Sequence, residues 1–174
     1  MLAVQQGEAQ AYRQLSEKHL PKVLNFAFRM LADKFEAEDV AQETFLRVWQ
    51  HAGKWRPQAA VSTWIFRIAR NLCIDRIRKR KPSDEEAADL PVESQRASLI
   101  LERKQEASVV QEAIQALPER QRAALLLTHF EGMSNPEVAA SMEVGVEAVE
   151  SLLSRARRKL RSHLRSRNVN RSRS

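Results

Sequence analysis

The residues of this chain best suited to chemistry are cations set beside amides, hydroxyls and carboxylates at helical spacing, and the chemistry they suit is the holding of a polyanion. From Val146 to Leu160 the apolar residues Val146, Val149, Leu152, Leu153, Ala156 and Leu160 recur at three and four positions, which leaves Glu147, Glu150, Ser151, Ser154, Arg155 and Arg158 on the other faces. Just upstream, Ser134 can cap a short helix with Pro136 in its opening turn and Val138, Ala139 and Met142 on its apolar side; Gly145 supplies the turn between the two. This is the pattern of a helix-turn-helix, in which cations attract phosphates while polar side chains reach base edges in the major groove. An ordinary helical hairpin whose cations merely solvate its end has the same pattern.

A second group lies between Lys54 and Lys81. Arg67, Arg70, Asn71, Ile74, Arg78 and Lys81 fall along one helical face, beside a loop that carries Lys54, Trp55 and Arg56 and leads into Val61. Cations hold phosphates, an amide can read a base edge, and a neighbouring loop can receive an unstacked base. The plainer reading makes Trp55, Trp64 and Phe66 core aromatics and the cations a solvated face; Trp64 lies on the apolar stripe and is read as core. A third group, Asp39, Gln42 and Glu43, is the polar side of an amphipathic helix and by itself points to no partner.

Catalytic chemistry is not indicated. His19, His51, His129 and His163 are scattered without carboxylates or cysteines at ligand spacing, so no metal site is expected. Glycine-rich phosphate loops, nucleophile elbows and paired zinc-binding histidines are missing, so neither an enzyme nor a cofactor is expected. Cys73 is the only cysteine, which excludes an internal disulfide, suits a reducing cytosol and reads as a small core residue. No apolar run approaches the roughly 20 residues that cross a bilayer, and no export signal opens the chain, so the expectation is a cytoplasmic protein without membrane insertion. The net charge of +7 is segregated: eight Arg and one Lys lie between Arg155 and Ser174 with no carboxylate, while Asp84, Glu85, Glu86, Asp89 and Glu93 form an acidic block. Such segregation favours a polyanionic partner for the basic parts.

The elements that must position these groups are helices, as 174 residues with only four glycines and six prolines suggest. Tyr12, Leu15, Leu20, Val23, Leu24, Ala27, Phe28 and Leu31 keep helical spacing from Glu8 to Leu31, with Pro21 as a potential break, and a polar turn follows at Asp33 to Glu36. Helices are predicted over about 37–52, over Thr63 to Lys79 with Thr63 as cap, over Ala97 to Leu117 and over about 119–131, the last closed by Gly132. Residues 82–96, acidic and aperiodic, read as a linker. The expected fold is all-α: two small helical domains, residues 1–81 and 97–165, with a disordered basic tail at 166–174.

Three segments taken together resemble one family. Asp39-Val-Ala-Gln-Glu-Thr-Phe-Leu-Arg-Val-Trp49, Ser62-Thr-Trp-Ile-Phe-Arg-Ile-Ala-Arg-Asn-Leu-Cys-Ile-Asp75, and Leu117-Pro-Glu-Arg-Gln-Arg-Ala-Ala-Leu-Leu-Leu127 with the helix-turn-helix, are similar in order and spacing to the bacterial extracytoplasmic-function sigma factors of the sigma-70 family. The resemblance implies a sigma-2-like and a sigma-4-like domain, binding to core RNA polymerase at its β′ clamp and β flap, promoter recognition and DNA melting. It makes Asp39, Gln42 and Glu43 polymerase contacts. Lys54, Trp55, Arg56, Val61, Arg67, Arg70, Asn71 and Arg78 become contacts to the opened −10 element, and Glu147, Glu150, Ser151, Ser154, Arg155 and Arg158 contacts to the −35 element. Control by a separate anti-sigma factor, in a stress or envelope response, is also implied. Family members commonly carry basic residues near Glu150 and Leu152, so the −35 preference of this chain is its own. The competing reading is a helix-turn-helix regulator that is not a polymerase subunit; it leaves the first two segments unexplained.

Overall fold

The computed structural model describes residues 1–80 and 109–171, with side chains to Arg165; the linker expected at 82–96 and the first part of the helix expected at Ala97 lie outside the described residues. Among the described residues every regular element is helical: α1 (Leu2–Gln5), α2 (Ala9–Leu31), α3 (Lys34–Gln50), a 3-10 turn (Ala52–Lys54), α4 (Val61–Arg80), α5 (109–115), α6 (Glu119–His129), α7 (Asn135–Met142) and α8 (Val146–Arg171).

The first four helices form one bundle, in which α2 packs mainly on α3 and both pack on α4. Pro21 does not divide α2, which runs unbroken through it. A proline inside a helix forfeits a backbone hydrogen bond and costs about 3 kcal/mol, but Pro21 faces solvent and the packing of Val23, Phe26, Ala27, Met30 and Leu31 beyond it holds the helix together. The buried stripe differs from the predicted one: Phe26 and Met30 are inside, while Leu20 and Phe28 are about 40% exposed. The ring of Phe26 meets that of Phe66 edge-on, 5.5 Å between centroids, which ties α2 to α4.

α3 begins earlier than predicted because Asp33 is its cap, accepting a hydrogen bond from the Glu36 amide at 3.0 Å; Ala32, left-handed at φ 55°, makes the corner. α4 likewise begins at Val61, so Thr63 is not a cap but a buried residue of the first turn. Gln5 of α1 props the following loop by donating through Nε2 to the carbonyls of Ala52 and Trp55, both at 2.9 Å.

In the second bundle α8 packs on α6 and α7 through Val149, Leu153 and Ala156. Ser134 caps α7 in a full capping box: its hydroxyl accepts from the Glu137 amide and the Glu137 carboxylate accepts from the Ser134 amide at 2.8 Å. The turn into α8 rests on Glu143, the left-handed residue at φ 57°, and not on Gly145 as predicted. Val146, predicted to face inward, is 39% exposed, and Phe130 is 44% exposed beneath the Arg29 guanidinium, 4.0 Å from its ring centre. The tail expected to be disordered from Ser166 is helical as far as Arg171, since neither Gly nor Pro interrupts the i to i−4 ladder after Leu164.

The two bundles touch. α2 and α4 pack on α6, and α4 packs on α7, so that buried side chains of both bundles join in one apolar cluster.

Candidate nucleic-acid interface

α8 carries the first group. Its apolar stripe turns inward, which fixes Glu147, Glu150, Ser151, Ser154, Arg155 and Arg158 on the outside, and all six are exposed. The structure therefore brings the six onto the outward side of one helix, as the spacing predicted. None of Glu150, Arg155, Arg157, Arg158, Arg161 and Arg165 forms an ion pair with another described residue. Ser154, Arg157, Arg158, Arg161, Ser162 and Arg165 line an open groove of about 690 Å³ along the helix. At a rise of about 1.5 Å per residue this cationic row extends for roughly 16 Å, several phosphates' worth of backbone.

The second group is divided by its surroundings. Lys54 and Arg56 are exposed, and Arg56 folds back to donate to the carbonyls of Gly53 at 2.7 Å and Trp55 at 3.1 Å. Trp55 and Val61 are half-buried at the loop's two ends, and the enclosed Trp55 indole N–H has no acceptor among the described residues. Asn71 is exposed, its Oδ1 accepting from Arg70.

The cations of α4, read from periodicity as an open face, are engaged. Arg70 is buried and donates to the Met142 carbonyl at 3.0 Å; Arg67 pairs with Glu143 at 3.4 Å and Arg78 with Glu119 at 3.2 Å. Burial holds the Arg70 pKa below its usual value, partly countered by Glu143. Ile74, placed on the same face by spacing, is buried in the core. Lys81 lies outside the described residues.

The third group sits on α3, well apart in the chain from the helix-turn-helix. Asp39 reaches Arg76 of α4 at 3.6 Å, Glu43 pairs with Arg47 at 2.7 Å, and Gln42 is exposed. With Leu46, Arg47, Leu72, Asp75, Arg76 and Lys79 they border an open groove of about 580 Å³ between α3 and α4, in which carboxylates and cations alternate; Leu46 and Trp49 are exposed apolar residues of α3, the Trp49 ring meeting Tyr12 of α2 edge-on. Leu46 and Trp49 were not singled out from sequence, because they stand outside the apolar stripe of Val40, Ala41, Thr44, Phe45, Val48 and Ala52 and carry no charge or polar group of the kind that marks the neighbouring positions.

Among the described residues no group of His, Cys, Asp and Glu is placed to hold a metal ion, and no helix is long and apolar enough to cross a membrane. Cys73 is buried, its thiol pushed up to about 12 by desolvation.

Comparison with known proteins agrees with this arrangement. Residues 15–83 match the model of Sigma-70 region 2 and residues 108–160 that of Sigma-70, region 4. The RNA polymerase sigma-H factor of Pseudomonas aeruginosa is 34% identical over 88% of this chain and 86% of its own length. The ECF RNA polymerase sigma factor SigW of Bacillus subtilis is 29% identical over 93% of each. Among solved structures, CnrH in complex with the cytosolic domain of CnrY superposes with a TM-score of 0.76 at 27% identity, covering 95% of this chain and 94% of that one. The sigma factor RpoE in complex with the anti-sigma factor NepR from Bartonella quintana gives 0.70 at 25% identity, covering 90% and 98%. The chain belongs to the extracytoplasmic-function RNA polymerase sigma factors. It is an alternative transcription initiation factor, not an enzyme.

Proposed function

We propose that the labour of initiation is divided among the three groups as follows. Residues 1–81 form the domain that docks on core polymerase through Asp39, Gln42 and Glu43 and takes the opened −10 element through Lys54, Trp55, Arg56, Val61, Arg67, Arg70, Asn71 and Arg78. Residues 97–165 form the domain that reads the −35 element through Glu147, Glu150, Ser151, Ser154, Arg155 and Arg158. Residues 82–96 join them. The protein works in the cytoplasm, under an anti-sigma partner of the kind that accompanies CnrH and RpoE in the structures above, in a stress or envelope response.

The observation that carries this reading is the separation of two unlike open surfaces: a groove between α3 and α4 whose carboxylates alternate with cations beside the exposed Leu46, and a long cationic row on α8 that has no ion pair among the described residues. A simple repressor needs only the second. Unpairing a base costs a few kcal/mol, and binding the extruded strand offsets it without ATP.

The docking face is tested by Asp39→Lys with Glu43→Lys. Both side chains sit at the surface and pair only with neighbours, so the fold should survive by circular dichroism. Affinity for core polymerase should fall at least about tenfold, as for charged interface contacts. Unchanged affinity removes the assignment.

A further inference from the structure

Lys54, Trp55 and Arg56 stand in the segment that joins α3 to α4, and part of what places that segment comes from far away in the chain. The Nε2 of Gln5, in α1, donates to the carbonyl of Ala52 and to that of Trp55, both at 2.9 Å. Ala52 opens the 3-10 turn and Trp55 caps its end. A side-chain amide has two N–H groups to give, so this one amide spans the turn from end to end. The turn's own bonds are short in range: the Lys54 amide donates to the His51 carbonyl at 2.8 Å and the Trp55 amide to the Ala52 carbonyl at 3.1 Å. They curl the backbone without fixing where its outer end stands on the bundle. Burial of Ala52 anchors the inner end, and Gln5 ties the outer one.

Gln5 is itself held in place. Its neighbour Val4 is buried, α1 packs on α2 and on the 3-10 turn, and Gly7, left-handed at φ 82°, turns the chain from α1 into α2. At the other end of the tie, the Trp55 carbonyl accepts from both Gln5 and the Arg56 guanidinium, and Arg56 also donates to Gly53. The enclosed indole N–H of Trp55 has no acceptor among the described residues, so the polar ties of this residue run through its backbone. Any shift of the Trp55 carbonyl therefore carries the indole ring and the folded-back Arg56 along with it.

We infer that Gln5 is a positioning residue for promoter opening: by donating to both ends of the 3-10 turn, it sets where Lys54, Trp55 and Arg56 stand when the opened −10 strand arrives. The inference rests on the proposed −10 role of those three residues. Gln5 itself touches no DNA and acts only through the turn. A turn held in its binding geometry loses little freedom on capturing the strand, whereas a loose one must be ordered at each capture and can settle around a wrong base. Loss of the tie should therefore lower discrimination at the −10 element and leave core docking, assigned to Asp39, Gln42 and Glu43, as it was.

The test uses core RNA polymerase reconstituted with the full chain. Binding is measured to a forked template, made from promoter DNA selected by the chain, whose −10 element is single-stranded, and to the same template with a −10 base replaced. Gln5→Ala removes both donors, Gln5→Glu sets a carboxylate against two carbonyls, and Gln5→Lys keeps a donor group of similar reach. Preference for the matched template should fall roughly tenfold in Gln5→Ala, the scale of losing hydrogen bonds of this kind. It should fall further in Gln5→Glu and be largely kept in Gln5→Lys. Affinity for core polymerase and helicity by circular dichroism should match wild type in all three. A purely structural Gln5 would weaken core binding and both templates alike, with lysine no better than alanine; that result, or an unchanged preference in Gln5→Ala, overturns the inference. Asn71→Ala, measured alongside, separates the inference from the reading beneath it. If Asn71→Ala lowers the preference and Gln5→Ala does not, only the role of Gln5 falls; if neither lowers it, the −10 reading falls as well.

Discussion

Glu150 sets an exposed carboxylate, with no ion-pair partner among the described residues, on a helix whose later turns are cationic. A carboxylate accepts a hydrogen bond from cytosine N4 and repels phosphate, so under the proposed −35 reading Glu150 exchanges general affinity for choice of base. Glu150→Gln and Glu150→Ala should change promoter preference at the base pair that Glu150 faces, by roughly 1 to 3 kcal/mol. Selection from a library randomised at the −35 element checks this, and an identical motif for wild type and both variants denies Glu150 that role. Residues of α8 were legible from spacing because one apolar stripe fixes every other direction on the helix. Arg70 was not. Periodicity puts it beside Arg67 and Asn71, but what covers that face comes from Met142, distant in sequence, and no local pattern carries that information. Glu143 left no signal either, since glutamate is an unusual choice for a left-handed residue and Gly145 nearby is the more obvious candidate.

Among the elements, α7 has only eight residues and so depends heavily on its ends. The cap at Ser134 was read from the sequence, and the structure adds its reciprocal partner Glu137, which completes a capping box. Donation from the Ser134 amide and hydroxyl holds the Glu137 carboxyl below its usual 4.5. A carboxylate lowered in the folded state stabilises fully above the unfolded value and ceases to do so as pH falls through the folded one. Ser134→Ala should therefore cost about 1 kcal/mol near neutral pH, measured by urea unfolding, and the difference from wild type should shrink in acid below the ordinary carboxylate value. A cost that is the same at pH 7 and in acid contradicts the box. Helix ends elsewhere were less legible for related reasons: Asp33 caps α3 from within a stretch that reads as a polar turn, and Thr63 looks like a cap but lies inside α4. Pro21 misleads because its cost is met by packing that sequence spacing does not weigh.

At the scale of the whole molecule, the all-helical class and the order of three functional segments were readable before any coordinates, and the family comparisons match the same two regions. The contact between the bundles was not, because it joins surfaces that are each amphipathic in isolation and are brought together only by packing of α4 and α2 on α6 and α7. That contact engages Arg67, Arg70 and Arg78 of α4, whereas the cationic row on α8 has no ion pair among the described residues. The most direct test is reconstituted transcription. Purified core polymerase with this chain should initiate at a defined start site on promoter DNA selected by the chain, and initiation should disappear when the chain or its promoter is omitted. Binding of the promoter by the chain alone, with core polymerase gaining no specific initiation, would contradict the division of roles proposed here and favour a helix-turn-helix regulator.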